Sequence, residues 1–327
     1  MKIFVTGGTG LLGNAILRQL THSEHESLAL VRGEPDADVF EGIETEFVTG
    51  DLLDADVIGN AVAACDAVIH AAGLIHIGWK QMEESMRVNR DGTRVIVEAC
   101  LNSGRKLVHV ASTNTLALGT RQTPADENTP LDNAGGQVPC SYVLSKRAGV
   151  VEVQRGIERG LQAVILCPGF MLGPGDWKPS SGRMMVEMGR GWKMIAPAGG
   201  CSVCDARDVA EATIATLDLD LETGREFLLG GENLTYKHLW REMASRMGQR
   251  GPLFAAGPLQ RWIGGFMGDA WSLLGKESDL NSASVRMTRQ FHWYDSTRAR
   301  EELGYRPRET TETLNDAAAW LQAHHCE

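Results

Sequence analysis

The sequence lacks an excess of positive charge. Its 32 Lys and Arg residues are outnumbered by 42 Asp and Glu, which gives a formal net charge of −10 and an isoelectric point near 5.4. The electrostatic field of the whole protein therefore repels polyanions, and this argues against nucleic acid as a partner. Any anionic ligand has to be held by local features of the chain.

Long uninterrupted apolar runs are also missing. The two most apolar stretches are 61–78 and 259–275, and polar residues interrupt both: Asp66, His70, His76, Arg261 and Asp269. We therefore predict no membrane span. The seven cysteines are an odd number without the spacing of a small disulfide scaffold, and no charged leader with an apolar core precedes the first predicted strand. We expect reduced thiols and a cytoplasmic protein.

Strand-like and helix-like segments alternate through the first half of the 327 residues. Apolar runs predict strands at 28–31, 47–48, 67–70, 107–110 and 163–167, and helical patterns lie between them at 57–64, 86–100 and 142–159. This alternation is typical of an α/β Rossmann fold with a doubly wound parallel sheet. After Pro168 the regular alternation ends and loops rich in Gly, Pro and Trp with scattered helices follow. This predicts a smaller, mostly helical C-terminal lobe.

We accordingly predict two connected lobes. The Rossmann domain should span 1–169, with 205–230 returning to it as a helix and a strand. The substrate-binding lobe should comprise 170–204 and 231–327.

The strongest single signal is a glycine cluster between the first strand and the first helix. Gly7, Gly8, Gly10 and Gly13 follow the apolar run 3–5 and precede a helical pattern. Such a turn brings backbone N–H groups close to a dinucleotide pyrophosphate at a helix N-terminus. The alternative is a glycine-rich turn without a ligand, which the flanking strand and helix make less attractive.

A phenol and an ammonium group stand four residues apart, at Tyr142 and Lys146, near the start of a predicted helix. This spacing places both side chains on one helical face. A nearby cation favours the phenolate and lowers a tyrosine pKa from its ordinary value of about 10, so that Tyr142 can transfer a proton. The alternative is an ordinary surface pair on an amphipathic helix.

A third catalytic group is expected at the carboxyl end of a sheet strand, where open α/β folds bind ligands. The strand at 107–110 leads into Ser112, Thr113 and Asn114. A hydroxyl there can donate a hydrogen bond to a substrate carbonyl as charge develops on its oxygen. Thr113 is our first choice.

Several further motifs match one known family. They are Asp51-Leu52, His70-Ala71-Ala72-Gly73, the run Cys167 to Pro174, the run Asp205 to Ala210, the run Asp295 to Ala299 and the run Leu303 to Pro307. With the glycine turn and Tyr-x-x-x-Lys, they make the chain resemble an extended short-chain dehydrogenase/reductase of the NAD-dependent epimerase/dehydratase superfamily. The resemblance runs almost end to end and is nearest to the dihydroflavonol reductase and 3β-hydroxysteroid dehydrogenase branch.

The resemblance implies roles for individual residues. Thr113 would polarise the substrate, Tyr142 would be the general acid/base, and Lys146 would lower the Tyr142 pKa and bind the nicotinamide ribose. One departure concerns the reactive hydroxyl, which in the family stands five positions before a glycine. Five before Gly119 is Asn114, so Thr113 requires a one-residue insertion, and Ser112 is a second candidate.

The resemblance also implies which residues bind ligands. The cofactor-binding set is Gly7, Gly8, Thr9, Gly10, Leu11, Leu12, Gly13, Arg32, Asp51, Leu52, Ala71, Ala72, Gly73, Tyr142, Lys146, Pro168 and Gly169. The substrate-binding set is Thr113, Phe170 and Met171. The family further suggests a homodimer, and no metal is expected.

Cofactor preference is read from the end of the second strand. An acidic residue there binds the adenosine ribose of NAD, whereas an arginine accommodates the 2′-phosphate of NADP. Arg32 therefore favours NADP(H), with NAD(H) possible because Asp36 and Asp38 follow closely and Arg32 can be a surface residue.

The predicted reaction is hydride transfer between a carbonyl and an alcohol on a small apolar substrate. Sugar-nucleotide enzymes of the family typically carry asparagine where this chain has Phe170, and dehydratases place acidic residues where it has Asn114 and Thr115. A nucleotide-sugar epimerase or dehydratase is the alternative. A non-catalytic NADP(H) sensor is a third possibility, against which Tyr142 and Lys146 count.

The predicted cap is rich in large apolar side chains that either form its core or face the cleft. They are Trp177, Met184, Met185, Met188, Trp192, Trp262, Phe266, Met267 and Trp271. Cys201 and Cys204 suggest a redox or zinc pair, but without a second Cys/His pair two ordinary thiols are favoured. We interpret His324, His325 and Cys326 as a frayed tail rather than a metal site.

Overall fold

The structure, a computed structural model, describes residues 1–258, 260, 266, 268–269 and 281–326. Three candidate cap residues, Trp262, Met267 and Trp271, lie outside the described residues. So does most of the apolar stretch 259–275.

The strands are short and recur along the whole chain. They are β1 (Lys2–Thr6), β2 (Glu26–Val31), β3 (Glu46–Thr49), β4 (Ala67–His70), β5 (Lys106–Val110), β6 (Ala163–Pro168), β7 (Phe170–Leu172), β8 (Ile195–Ala196), β9 (Gly200–Asp205), β10 (Glu226–Leu229), β11 (Glu232–Thr235), β12 (Phe254–Ala255) and β13 (Phe291–His292).

Helices separate most of these strands. They are α1 (Leu11–Thr21), α2 (Ala55–Ala63), α3 (Met82–Met86), α4 (Gly92–Ser103), α5 (Ser141–Glu158), α6 (Gly182–Gly189), α7 (Ala206–Asp218), α8 (Tyr236–Arg246), α9 (Ser282–Met287), α10 (Thr297–Glu302) and α11 (Thr310–His325). A π-helical segment, Arg87–Asp91, joins α3 to α4 without a break.

Seven parallel strands form the central sheet in the order β10-β6-β5-β4-β1-β2-β3. Ile3, Phe4 and Val5 on β1 are fully buried, as expected for a strand covered on both faces. One face packs against α1 and α7, and the other packs against α2, α4 and α5. The predicted doubly wound Rossmann architecture is confirmed.

A smaller sheet forms around β9, which pairs with β7, β11 and β13. The chain leaves the central sheet after β6 and returns with α7, which packs on α1, and with β10, which pairs with β6. Helices α6, α8 and α11 share a separate apolar cluster beside β9. The division into two domains at the predicted boundaries stays a prediction.

Among the described residues, no helix combines the length and the apolar character that crossing a bilayer requires.

Two histidines are buried side by side in the central sheet. His70 on β4 and His109 on β5 are register partners with ring centroids 5.4 Å apart. His70 bonds to Thr6 Oγ1 at 2.7 Å and to Thr93 Oγ1 at 3.0 Å, whereas neither ring nitrogen of His109 has a hydrogen-bond partner within the described residues. Burial lowers the pKa of His70 to about 3 and holds the pKa of His109 well below its ordinary value.

We predict opposite effects on stability for alanine at two helical glycines. A Cβ on Gly13 of α1 would lie 2.1 Å from the Gly7 carbonyl oxygen, whereas a Cβ on Gly59 of α2 would meet nothing within 4 Å. Gly13→Ala should lower the free energy of unfolding by at least about 1–3 kcal/mol through overpacking. The matched control Gly59→Ala should raise it by up to about 1 kcal/mol through helix propensity. Urea denaturation measures both, and equal effects would contradict the proposed close approach.

We also predict that acid destabilises the fold through its buried histidines. The unfolded chain protonates these rings below pH 6.5 while the folded chain does not, so their contribution is present above that pH and is lost as the pH falls. Each ring adds a slope of up to about 1.4 kcal/mol per pH unit to the free energy of unfolding. His109→Leu should remove about one such slope, measured by urea denaturation at several pH values between roughly 5 and 7. An unchanged slope would contradict this account whatever the variant's absolute stability.

Candidate active site

The glycine turn between β1 and α1 is accessible and tightly folded. Gly7 has a φ of +83°, and the amide of Gly10 donates to the Gly7 carbonyl at 2.9 Å. Gly10 is exposed and caps α1 without a side-chain hydrogen bond to the first-turn amides. These amides therefore have no side-chain acceptor at the N-cap and suit an anionic group. Leu11 and Leu12 are buried, so only their backbone is available to a cofactor.

The glycine turn touches the end of the neighbouring strand β4. A Cβ on Gly7 would lie 2.6 Å from the Ala72 nitrogen and 2.7 Å from the Ala71 carbonyl carbon. Two of the predicted cofactor motifs therefore form one surface, and a side chain at residue 7 would separate them.

Lys146 reaches the same surface from α5. It is 7 % exposed, its Nζ donates to the Val110 carbonyl at 3.0 Å, and a Cβ on Gly73 would lie 2.9 Å from Nζ. Burial lowers the Lys146 pKa to about 8. The ammonium group is thus placed at the carboxyl ends of the sheet strands beside the glycine turn.

Tyr142 stands one helical turn before Lys146 and is also buried, with 8 % exposure. Burial raises the Tyr142 pKa, and a hydrogen bond with the Ser112 side chain opposes that rise. The thiols of Cys140 and Cys167 raise it further. The phenol therefore depends on polar neighbours for any tendency to ionise.

Ser112, the second candidate for the reactive hydroxyl, is the hydroxyl residue that lowers the Tyr142 pKa. It precedes a single 3-10 turn, Thr113–Thr115, and its Oγ accepts from the Asn114 amide at 3.2 Å. Thr113 is 3 % exposed and bonds with the Tyr294 hydroxyl instead, which donates to the Thr113 carbonyl at 3.3 Å. The turn thus directs two adjacent residues to two different tyrosines.

Asn89 is a site residue that the sequence analysis missed. It lies in the π-helical segment, its Oδ1 accepts from the Leu74 amide at 2.7 Å, and its Nδ2 donates to the Leu74 carbonyl at 2.9 Å and to Ser145 Oγ at 2.8 Å. It therefore fixes the loop after Gly73 to the residue before Lys146. Such irregular turns are frequent at functional sites, but an asparagine in a helical pattern gives no signal in the sequence.

The predicted adenosine end of the site carries four charged side chains. Arg32 follows β2 and Asp51 follows β3, its neighbour in the sheet, and both are exposed. Glu84 and Arg87 form an ion pair nearby, with Nε–Oε2 and Nη2–Oε1 distances of 2.9 and 3.0 Å. This pair lowers the Glu84 pKa and raises the Arg87 pKa, with smaller contributions from Arg32 to the first and Asp51 to the second. Arg87 was not predicted.

Several of the remaining predicted ligand residues pack closely against neighbouring segments. Leu52 lies 2.4 Å from the position of a Cβ on Gly92, and a Cβ on Gly169, after the buried Pro168, would lie 2.6 Å from the Ser202 carbonyl oxygen. Phe170 and Met171 on β7 are half-buried, Phe170 against the cluster of α6, α8 and α11, and Met171 against the cluster of α1 and α7.

The described cap residues divide between core and surface. Met185 and Met188 are buried in the cap cluster, which agrees with the core interpretation, whereas Trp192 and Phe266 are exposed. Trp177 packs edge-on against Trp320, with ring centroids 5.0 Å apart.

Neither sequence feature set aside above forms part of this site. Cys201 and Cys204 are buried, and burial raises the pKa of both thiols, that of Cys201 to about 12. The expectation of a frayed tail is wrong, because α11 continues to His325 and His324 stacks on Trp320 at 4.3 Å.

Comparisons with known proteins agree with this geometry. The profile of the NAD dependent epimerase/dehydratase family matches residues 3–230. The chain is 27% identical to a putative dihydroflavonol 4-reductase of Synechocystis sp., over 98% of this chain and 94% of that protein. It is 26% identical to sterol demethylase protein B of Methylococcus capsulatus, over 98% of each. The crystal structure of gox2253 superposes with a TM-score of 0.84 and 29% identity, over 99% of this chain and 98% of the other.

The family match covers the central sheet from Ile3 onward and every predicted catalytic and cofactor-binding residue. The glycine turn, the strand-end motif and the Tyr-x-x-x-Lys helix all lie within it. The chain therefore belongs to the NAD dependent epimerase/dehydratase family and is an NAD(P)-dependent oxidoreductase of the extended short-chain dehydrogenase/reductase type.

Proposed function

We propose that the enzyme interconverts a carbonyl and an alcohol on a small apolar substrate, with NADP(H) as the cofactor. The observation that carries the proposal is the cluster of Tyr142, Ser112 and Lys146 beside Gly73. It provides two hydroxyl groups and a cation at the carboxyl ends of the strands, next to a turn suited to a pyrophosphate.

Each side chain has a distinct task. The nicotinamide cofactor supplies or accepts the hydride when bound. Ser112 donates a hydrogen bond to the substrate oxygen, and in reduction Tyr142 Oη transfers its proton to that oxygen. Lys146, with a pKa of about 8, is mostly protonated near pH 7, and its charge stabilises the phenolate left on Tyr142.

The contacts of the turn favour Ser112 over Thr113 as the reactive hydroxyl. Hydrogen bonding by the Ser112 side chain lowers the Tyr142 pKa, whereas the Thr113 carbonyl accepts from the Tyr294 hydroxyl at 3.3 Å. The sequence rule that counted back from Gly119 did not distinguish these neighbours.

The surroundings of Tyr142 support an apolar substrate. The loop after Gly73 packs on the start of α5, where the Tyr142 amide and the Ser141 hydroxyl both donate to the His76 carbonyl, at 3.2 and 2.7 Å. The same loop exposes Ile75 and Trp79, at 54% and 41%. The names of two relatives, a dihydroflavonol reductase and a sterol demethylase protein, point the same way.

The proposed preference for NADP(H) rests on Arg32 and is strengthened by Arg87. Arg87 forms an ion pair with Glu84, and Arg32 makes a smaller contribution to the lowered pKa of the same carboxylate. Two arginines at the end of β2 and beside it suit a 2′-phosphate, which planar guanidinium groups bind in bidentate geometry.

A nucleotide-sugar epimerase remains the second candidate because the family includes epimerases. An epimerase retains its cofactor, so it would copurify with tightly bound NAD and would be stabilised against heat by UDP- or GDP-sugars. The proposed reductase should instead be stabilised by apolar ketones and should consume NADPH.

We predict that three substitutions separate the catalytic roles. Tyr142→Phe should lower kcat by about 10²–10⁴-fold because it removes the acid/base, and Ser112→Ala should lower it by about 10²-fold or more because it removes a donor to the substrate oxygen. Thr113→Val should lower it by less than about fivefold, the value of one ordinary hydrogen bond. NADPH oxidation against a panel of apolar ketones and aldehydes measures kcat, and cofactor titration should give a near wild-type Kd for all three.

Retained turnover in Tyr142→Phe would overturn the proposed mechanism. A large loss in Thr113→Val with none in Ser112→Ala would return the hydroxyl role to Thr113.

We predict that Arg32 determines cofactor preference. Arg32→Ala should weaken NADPH binding by about tenfold or more, because a charge-assisted contact to the 2′-phosphate contributes about 1.5–3 kcal/mol. NADH binding should hardly change. Arg121→Ala, which removes an exposed arginine elsewhere, is the matched control. Equal weakening of both cofactors, or of neither, would contradict the proposal; fluorescence titration measures each Kd.

A further inference from the structure

Tyr294 is a second buried tyrosine next to the catalytic turn. It is 3 % exposed, and its hydroxyl donates to the Thr113 carbonyl at 3.3 Å. Burial raises the Tyr294 pKa, and the Thr113 and Gln137 side chains oppose that rise. Tyr142 lies close enough to make a small contribution to the raised Tyr294 pKa. A buried tyrosine hydroxyl that binds a backbone carbonyl fixes that segment in place.

The turn that Tyr294 contacts has little structure of its own. It is one turn of 3-10 helix, closed by the Thr115 amide and hydroxyl, which donate to the Ser112 carbonyl at 2.8 and 2.7 Å. This short turn therefore determines where the Ser112 side chain points. Such a short turn needs contacts with the rest of the protein to keep one conformation.

Tyr294 itself is held firmly. Asn233 Oδ1 accepts from the Tyr294 amide at 3.1 Å, and its Nδ2 donates to the Tyr294 carbonyl at 3.0 Å. Ala125 forms a bridge with Tyr294, and a Cβ on Gly119 would lie 2.3 Å from the Trp293 carbonyl oxygen. Because β13 immediately upstream pairs with β9, the smaller sheet and the catalytic turn are joined through this tyrosine.

We propose that Tyr294 is a positioning residue that acts through the Thr113–Thr115 turn to keep the Ser112 hydroxyl on Tyr142. This inference rests on the proposed roles of Ser112 and Tyr142. No sequence motif indicated this role of Tyr294, because Tyr294 lies 181 residues from Thr113.

The pH dependence provides a readout that a purely structural role would leave unchanged. In the oxidative direction Tyr142 acts as the phenolate, so kcat/KM rises with pH as the phenol ionises. The Ser112 hydrogen bond lowers the Tyr142 pKa, and a loosened turn should therefore move this rise to higher pH. The other ionisable groups that influence Tyr142 are Cys140 and Cys167, and Tyr294 interacts with it as well. Lys146 follows one turn later on the same helix.

The test substitutes Tyr294→Phe, which keeps the ring and removes the hydroxyl. We expect kcat to fall about fivefold to tenfold and the rise of kcat/KM to move up by about half a pH unit or more. Each change corresponds to the free energy of about one net hydrogen bond. The KM for the cofactor should stay within about twofold, and Tm should fall by no more than about 3 °C. Tyr305→Phe is the matched control, since this buried phenol belongs to the cluster of α1 and α7 and its hydroxyl has no hydrogen-bond partner in the described chain.

A double-mutant cycle tests the route of the effect. In a Ser112→Ala background, Tyr294→Phe should lower kcat by less than about twofold more, because the group that it positions is already gone. Unchanged kcat and pH profile in Tyr294→Phe, an equal loss in Tyr305→Phe, or full additivity with Ser112→Ala would overturn the inference. If Tyr142→Phe also retains turnover, the proposed function itself is wrong. If Tyr142→Phe is inactive and Tyr294→Phe behaves like the wild type, only the proposed role of Tyr294 is wrong.

Discussion

The burial of one ammonium group governs the geometry of this site. Lys146 is almost fully enclosed, and its Nζ is held by the Val110 carbonyl at the end of β5. A buried charge is costly unless it is paired, so this position demands a strand end with a free carbonyl and a neighbour without a side chain. Gly73 meets the second demand, since a Cβ there would lie 2.9 Å from Nζ. Nζ can occupy the carboxyl end of β5, beside the loop after β4, because both conditions are satisfied together.

Much of the fold could be read from the sequence because its signals are local. The alternation of apolar runs and helical patterns predicted strands β2 to β6 and the helices between them, and the returning elements α7 and β10 were also predicted. The smaller sheet was not, since β9 draws partners from distant segments, and β13 lies about ninety residues further along the chain. Pairing over such distances leaves no periodic trace in a single sequence.

The candidate site shows the same limit. Tyr142 and Lys146 were identified because their spacing on one helix determines their common face. The choice between Ser112 and Thr113 was not determined in this way, because a one-residue difference in a 3-10 turn sends adjacent side chains in different directions. Asn89 and Tyr294 were missed because their contacts are tertiary: Asn89 bonds the loop after Gly73, and the Tyr294 hydroxyl donates to a turn from a distant part of the chain. Arg87 was missed because its interaction with Asp51, after β3, is also tertiary.

The uncapped start of α1 has a consequence for the lifetime of the protein. Gly10 offers no side-chain acceptor to the first amides of this helix, so these amides are open to an anionic ligand. A dinucleotide that occupies them binds the folded chain and not the unfolded one, and resistance to unfolding then increases with the logarithm of its free concentration. The free concentration of the dinucleotide would thus influence how much of the enzyme is folded. A shortage of the dinucleotide would increase the unfolded fraction that proteases can cleave.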